Sequence, residues 1–176
     1  MPARKFRIGR SKTGLGLFAT AEFKKGEFIA EYKGRLIPDK EARILENETS
    51  NRYLYEINSR WTVDGSGRRN LARYANHSCR PNAESDTKKH MIFIRAIKKI
   101  EPGQEITYDY GKDYFDVFLK PIGCLCVKCV EKRREARAQK RKNTIAAKKR
   151  AATRARNERA KKRAAKARKL NGHARA

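Results

Sequence analysis

Four short blocks of this chain hold residue types that could do chemistry. The first is Glu105-Ile106-Thr107-Tyr108-Asp109-Tyr110-Gly111. Alternate residues of a strand share a face, so Tyr108 and Tyr110 present two phenols side by side. Such a pair can wall a narrow channel and hydrogen-bond a polar head group, although plain aromatic packing gives the same spacing. The second block, Arg73-Tyr74-Ala75-Asn76-His77-Ser78-Cys79-Arg80-Pro81-Asn82, concentrates a phenol, an amide, an imidazole and a thiol in one polar loop. A cysteine hydrolase would use Cys79 as nucleophile and His77 as base. These two side chains are expected to point apart, and nothing nearby supplies a third group to orient the base, so that chemistry is set aside.

The third block, Gly14-Leu15-Gly16-Leu17-Phe18-Ala19, reads on its own as a tight turn, or as backbone left bare for close approach of a ligand. It lacks the third glycine and the strand–helix unit of a dinucleotide-binding motif. The fourth, Cys124-Leu125-Cys126-Val127-Lys128-Cys129, offers three thiols in six residues. A closed structural zinc site wants four ligands, and Cys79 is the one cysteine outside this run. Buried free thiols are the alternative. Without a secretory leader, disulfides are disfavoured.

Short β-type runs must position these blocks. They are 28–32, 53–57, 61–63, 91–97 and 105–108, separated by turn signals such as Lys25-Gly26, Asp64-Gly65-Ser66-Gly67 and Glu101-Pro102-Gly103. One helix is expected over 38–46, with Pro38 in its first turn and Asp39 and Glu41 at the positive end of its dipole. A second short helix or turn is expected over 70–75. The domain is therefore read as mainly β.

Charge divides the chain. The formal net charge is +26; residues 130–176 hold 20 Lys/Arg against three Glu, a net +17, which leaves +9 for the rest. A segment of Ala, Lys, Arg and Gln with isolated Ile145 and Leu170 favours helix locally but has no apolar stripe to bury. It is expected to be disordered or transiently helical, gaining helix where phosphates neutralise it. Nucleic acid is the expected partner, with a solvated tail as the bland alternative. Lys140-Arg141-Lys142 and Lys148-Lys149-Arg150 also suit a nuclear import signal. No stretch resembles a signal peptide core or a membrane span, so a soluble intracellular protein is expected.

Taken in order, Gly14-Leu15-Gly16, Glu31-Tyr32-Lys33-Gly34, Tyr53-Leu54-Tyr55, the stretch 70–82 and Ile106-Thr107-Tyr108-Asp109-Tyr110-Gly111 resemble the successive signature motifs of the SET-domain protein lysine methyltransferases. The resemblance covers residues 4–129. It implies a fold of small β-sheets with few short helices and a pseudoknot-like active site. A SET domain would occupy 4–111, a post-SET zinc segment 112–130, and the basic tail 131–176. Two departures stand out. Arg69 replaces the family's usual glycine before Asn70, and two residues rather than four precede the last cysteine.

The same resemblance implies S-adenosylmethionine as methyl donor, entering the domain from the face opposite the substrate lysine. Gly14, Leu15, Gly16, Leu17, Asn76 and His77 would hold it, with Tyr53, Arg73, Tyr74 and Tyr110 as further contacts and Leu125 and Cys126 closing over the adenine. Tyr32, Tyr108 and Tyr110 would form the lysine channel, Tyr110 being the most critical, and Tyr108 would favour mono- or dimethylation. Cys79, Cys124, Cys126 and Cys129 would bind one structural Zn2+. The expected substrate is a histone or other DNA-associated basic protein, met at chromatin or a nucleoid (in the nucleus if the source is eukaryotic or the protein is delivered to a host) by a monomeric enzyme. Glu31, Glu56, Asp109, Asp113 and Asp116 would supply acidic complementarity. A catalytically weak SET scaffold acting as a nucleic-acid-binding architectural protein is the main alternative, and a zinc-stabilised RNA-binding module a third.

Overall fold

Ten short strands, of which β9 and β10 alternate most plainly between buried and less buried side chains, lie among the described residues, which are 4–173 in this computed structural model. The positions 1–3 and 174–176, at the outer limits of the leader and tail readings, lie outside them. Two compact units result, Met1–Val130 and Glu131–Ala176.

In the first unit, β1 (Phe6–Ser11), β2 (Gly14–Ala19), β10 (Glu105–Tyr108) and β7 (Asn76–His77) form one sheet in the order β1-β2-β10-β7. A second sheet orders β3 (Phe28–Tyr32), β9 (Met91–Ala96) and β8 (Ala83–Lys88). The third orders β4 (Arg35–Pro38), β6 (Trp61–Asp64) and β5 (Leu54–Asn58). Leu17, Phe23, Ile92, Ile94, Ile100 and Ile106 fill the core between them, each 2 % exposed or less, and Tyr32 and Tyr108 complete it.

The contact that positions the candidate site is the parallel pairing of β7 with β10, which sets Asn76 against Thr107 and His77 against Tyr108. A strand of two residues cannot satisfy its neighbours by itself, so Asn82 extends the ladder. Its Oδ1 accepts from the Thr107 amide at 2.8 Å, and its Nδ2 donates to the Glu105 carbonyl at 2.8 Å. Its own amide donates to Thr107 O at 3.2 Å, and the Ser78 amide to Tyr108 O at 3.0 Å. A buried amide side chain thus replaces backbone that the short strand lacks.

Two glycines allow close approach. A Cβ on Gly16 would stand 2.5 Å from Glu105 Oε1, and one on Gly65 would stand 2.3 Å from the Tyr32 ring and 2.5 Å from Asn70 Nδ2. Asn70 is 2 % exposed and satisfied on both sides, donating to Gly65 O at 3.0 Å and accepting from the Lys33 amide at 3.1 Å.

Several expectations are corrected. Residues 14–19 are strand β2 rather than a tight turn; Gly14 opens it at φ +114°, and all six residues pair with β1. Helix α1 covers Asp39–Thr49, with Pro38 just outside it and Ser50 ending it in the left-handed region at φ 52°. The stretch over 70–75 is a 3-10 turn, Leu71–Tyr74. Arg69 is accommodated without a positive φ. Strands β1, β4, β7 and β8 were not expected, and neither was the short helix α2 (Lys112–Tyr114) that runs into a π turn at Phe115–Leu119.

The tail, expected to be disordered or transiently helical, is helix α3, Val127–His173. Every described side chain over 134–164 is exposed, so no tertiary burial supports it. Spacings of four residues do, as in Lys162 with Glu158 at 3.0 Å and Gln139 with Asn143 at 2.9 Å. No described helix is long and apolar enough to cross a membrane.

Asn82→Ala should remove two buried hydrogen bonds and leave the Thr107 amide unsatisfied, lowering stability by about 2–3 kcal/mol. Urea unfolding should show this as a lower midpoint at unchanged slope.

Candidate active site and metal centre

One cleft of ≈870 Å³ gathers most of the residues singled out in the sequence. Tyr32, Tyr108 and Tyr110 line it, together with Leu15, Tyr53, Arg73, Tyr74, Asn76, His77, Leu125 and Cys126. Gly14, Gly16 and Leu17 are outside its lining, and Leu17 is fully buried in the core. Strand β10 ends at Tyr108, yet the Tyr108 and Tyr110 rings still meet at 4.8 Å. Tyr32 donates its hydroxyl to Tyr53 O at 2.9 Å, and Tyr110 donates to Ala75 O at 2.9 Å. Burial raises all three phenols above their ordinary range, so each stays protonated at neutral pH. These side chains can donate hydrogen bonds and present aromatic faces, and none is a ready base.

Beside them, Asn76 donates to Leu15 O at 3.0 Å and to Glu105 Oε1 at 2.7 Å. The Arg73 guanidinium lies 3.6 Å over the Tyr53 ring and hydrogen-bonds Ser66 O, while its buried Nε has no partner among the described residues. A cation held this way can meet an anionic group of a ligand. His77 is pushed below the usual imidazole range by burial, with Asp109 opposing the shift, and is neutral.

The four thiols converge. Cys79, Cys124, Cys126 and Cys129 place their sulfurs within 4.8 Å of one another, and Cys79 Sγ lies 3.6 Å from Cys129 Sγ. A tetrahedron of Zn–S bonds of about 2.3 Å needs sulfurs roughly 3.8 Å apart, so the donor set fits a closed zinc site. Burial and the other thiols push Cys79 up, and burial takes Cys124 to about 11. Burial also works against Cys126, but backbone amides of Cys79 and Cys129 outweigh it and bring that thiol down to about 7. A cation would relieve this crowding by displacing the protons. The short spacing before Cys129 closes because α3 begins there: the Val130 amide donates to Cys126 O at 3.0 Å, and the helical turn swings Cys129 back.

Comparison with known proteins agrees with the placement of these motifs. The model of the SET domain matches residues 14–111, more than half of the chain. The chain belongs to the SET-domain family. It is 37% identical over 122 residues to the histone-lysine N-methyltransferase trithorax of Drosophila virilis, covering 64% of this chain and 3% of that protein. To the putative histone-lysine N-methyltransferase ASHH4 of Arabidopsis thaliana it is 35% identical over 147 residues, covering 78% of this chain and 41% of the relative. Among solved structures, ctPRC2 in an autoinhibited conformation bound to S-adenosylmethionine matches with a TM-score of 0.55 at 33% identity, over 62% of this chain and 15% of that one. ctPRC2 in complex with H3K27me3 and H3K27M matches at 0.58 and 31%, over 63% and 15%.

Within this SET domain, two local readings need correction. His77 and Cys79, expected to point apart, meet at 3.2 Å, because residues i and i+2 of an extended segment lie on one side. Of the five acidic residues expected at the substrate groove, Glu56 and Asp113 line the cleft, and Asp39 and Glu46 join them. Glu31 pairs instead with Lys33 at 3.5 Å, and Asp116 with Lys112 and Lys120 at 2.8 and 3.1 Å. Asp109 caps the Gly111 amide at 3.0 Å.

Sequence reasoning also missed Glu105, which orients Asn76, and the aromatic ladder Tyr110, Tyr114 and Phe118, with ring separations of 5.0 and 4.8 Å. Phe118 is capped by the Arg52 guanidinium at 4.1 Å. The four-residue spacing of Tyr110, Tyr114 and Phe118 was the available signal.

Elemental analysis of the full chain purified with zinc present should give one zinc per chain. Cys126→Ser should lose that zinc on dialysis against a chelator and melt several degrees lower; retention of full zinc by this variant would sink the four-thiol centre.

Proposed function

We propose that this SET domain transfers methyl groups from S-adenosylmethionine to lysine side chains of a histone or another DNA-associated basic protein. The observation that carries this reading is the single cleft in which the three tyrosines stand beside Leu15, Arg73, Asn76 and His77. The histone-lysine methyltransferase names of its relatives and the S-adenosylmethionine of its structural neighbour support the same reading.

When bound, S-adenosylmethionine supplies a methyl carbon made electrophilic by its sulfonium, taken up by a lysine nitrogen as the carbon–sulfur bond breaks. Leu15, Asn76 and His77 would present polar backbone to the donor, and Arg73, stacked on Tyr53, would be the cation to meet its carboxylate. Gly14, Gly16 and Leu17 shape the strand behind Leu15. Tyr32, Tyr108 and Tyr110 wall the lysine stem and exclude water, and the Tyr110 hydroxyl orients the reacting centre. The lysine must arrive as a free amine. A desolvated channel beside a positive charge disfavours its ammonium form, so the proton leaves to water and no side-chain base is required. Asp39, Glu46, Glu56 and Asp113 offset the positive charge of the unit for a basic substrate.

We assign residues 4–111 to the SET domain and 112–130 to the zinc-binding segment, which brings Leu125 and Cys126 to the cleft. The tail over 131–176 is read as a nucleic-acid tether that raises the local concentration of a DNA-bound lysine. Cations on all sides of α3 and the absence of an apolar stripe support that reading over docking on protein. Chromatin is the proposed place of action, and the enzyme is proposed to act as a monomer.

Methylation is proposed to stop at one or two groups. Tyr108 is 6 % exposed, and its hydroxyl takes up room next to Tyr110 that a methylated amine would need.

Tyr110→Phe should lower kcat on the order of 100-fold on a histone peptide, the effect expected of losing one oriented hydroxyl. Tyr108→Phe should shift the product mixture toward higher methylation by mass spectrometry, and an unchanged distribution removes the multiplicity reading. Deleting 131–176 should reduce activity on nucleosomal substrate and spare activity on a free peptide; equal loss on both would discard the tether.

A further inference from the structure

We propose that His77 is a positioning residue whose imidazole ties the cysteine cluster to the backbone of Tyr110, so that the metal centre helps to set where the catalytic tyrosine stands. The proposal rests on the methyltransferase reading above for its effect on turnover. Its hydrogen-bond geometry stands independently of that reading.

The His77 side chain is 5 % exposed and has a different partner at each ring nitrogen. Nδ1 accepts from the Tyr110 amide at 3.3 Å. A backbone amide can only donate, so Nδ1 carries the lone pair and the ring proton sits on Nε2. Nε2 lies 3.2 Å from Cys79 Sγ. With the tautomer fixed at the far nitrogen, this contact is an N–H donated to sulfur, and it strengthens when the sulfur is a metal-bound thiolate. Asp109 Oδ1 stands 3.6 Å from Nδ1, farther than the Tyr110 amide and beyond hydrogen-bond reach, and it accepts from the Gly111 amide at 3.0 Å.

The ring cannot easily turn away. Tyr110 packs edge-on at 5.4 Å and Phe115 lies at 5.5 Å. The β7–β10 register fixes His77 opposite Tyr108, and the Tyr110 hydroxyl returns to Ala75 O at 2.9 Å. Sulfur, imidazole and the Tyr110 backbone therefore form one connected path. Partners that orient metal ligands are commonly worth 10–100-fold in metal affinity.

Two variants separate the two nitrogens. In His77→Asn the side-chain oxygen can replace Nδ1 as acceptor for the Tyr110 amide, while nothing reaches Cys79. In His77→Gln the amide nitrogen can replace Nε2 as donor to Cys79, while the Tyr110 amide loses its acceptor. In the full chain, His77→Asn should release zinc to a chelator about tenfold faster than wild type, and its cobalt-substituted form should show a shifted thiolate-to-metal band. His77→Gln should hold zinc within about twofold of wild type, yet lose kcat on a histone peptide more than it changes KM. Zinc release at the wild-type rate in His77→Asn, or wild-type kcat in His77→Gln, overturns the proposal.

Ring-nitrogen NMR shifts of His77 in the unmutated zinc-loaded chain provide a check that needs no variant. A protonated Nε2 with a bare Nδ1 is expected, and a protonated Nδ1 overturns the link. If the wild-type chain transfers no methyl group at all, the activity reading fails, while the zinc-release and NMR arms still decide the hydrogen bonds.

Discussion

The arrangement depends on one constraint: two chain segments lie side by side through a strand only two residues long, and their buried backbone must still be satisfied. Asn82 meets it by acting as a stretch of strand in side-chain form, accepting from Thr107 and donating to Glu105. Because that pairing is parallel and in a fixed register, His77 falls opposite Tyr108 and Asn76 opposite Thr107. The polar loop and the paired tyrosines then occupy one cleft. Much of the site geometry follows from where this short ladder begins.

Electrostatics follow the same economy. Around the tyrosines the protein uses neutral hydroxyls, aromatic faces and carbonyls, and it keeps most of its ion pairs exposed. Charges removed from water carry large desolvation penalties, so neutral groups are the less costly lining beside the buried tyrosines, with the Arg73 cation stacked on Tyr53 nearby. The thiol cluster is the exception. Four sulfurs crowd within 4.8 Å of one another there, a donor set that a cation would join.

The sequence makes some of this legible and conceals the rest for identifiable reasons. Strands β3, β6, β9 and β10 announce themselves through β-branched and aromatic runs between turn residues. Strand β8, Ala-Glu-Ser-Asp-Thr-Lys, is a polar edge strand held by its neighbour β9, and no local preference reveals it. The Gly-Leu-Gly block looks like a turn because glycine is the residue of turns, whereas here Gly16 is bare so that Glu105 can reach Asn76. The cysteines and tyrosines were visible as types. Their partners, Glu105, Asn82 and the aromatic ladder from Tyr110, became visible only when distant segments were brought together. The tail's composition announces helix-forming residues, but a helix without buried side chains leaves no periodic trace.

Gly65 occupies what looks, in one dimension, like an ordinary connecting turn between β6 and the segment that follows. In three dimensions it is buried, with the Tyr32 ring on one side and Asn70 on the other. Through Tyr32 its neighbour is therefore the cleft rather than the surface. A methyl group there has no space to occupy and would press on the Tyr32 ring, so a substitution in this turn would reach the cleft through that side chain.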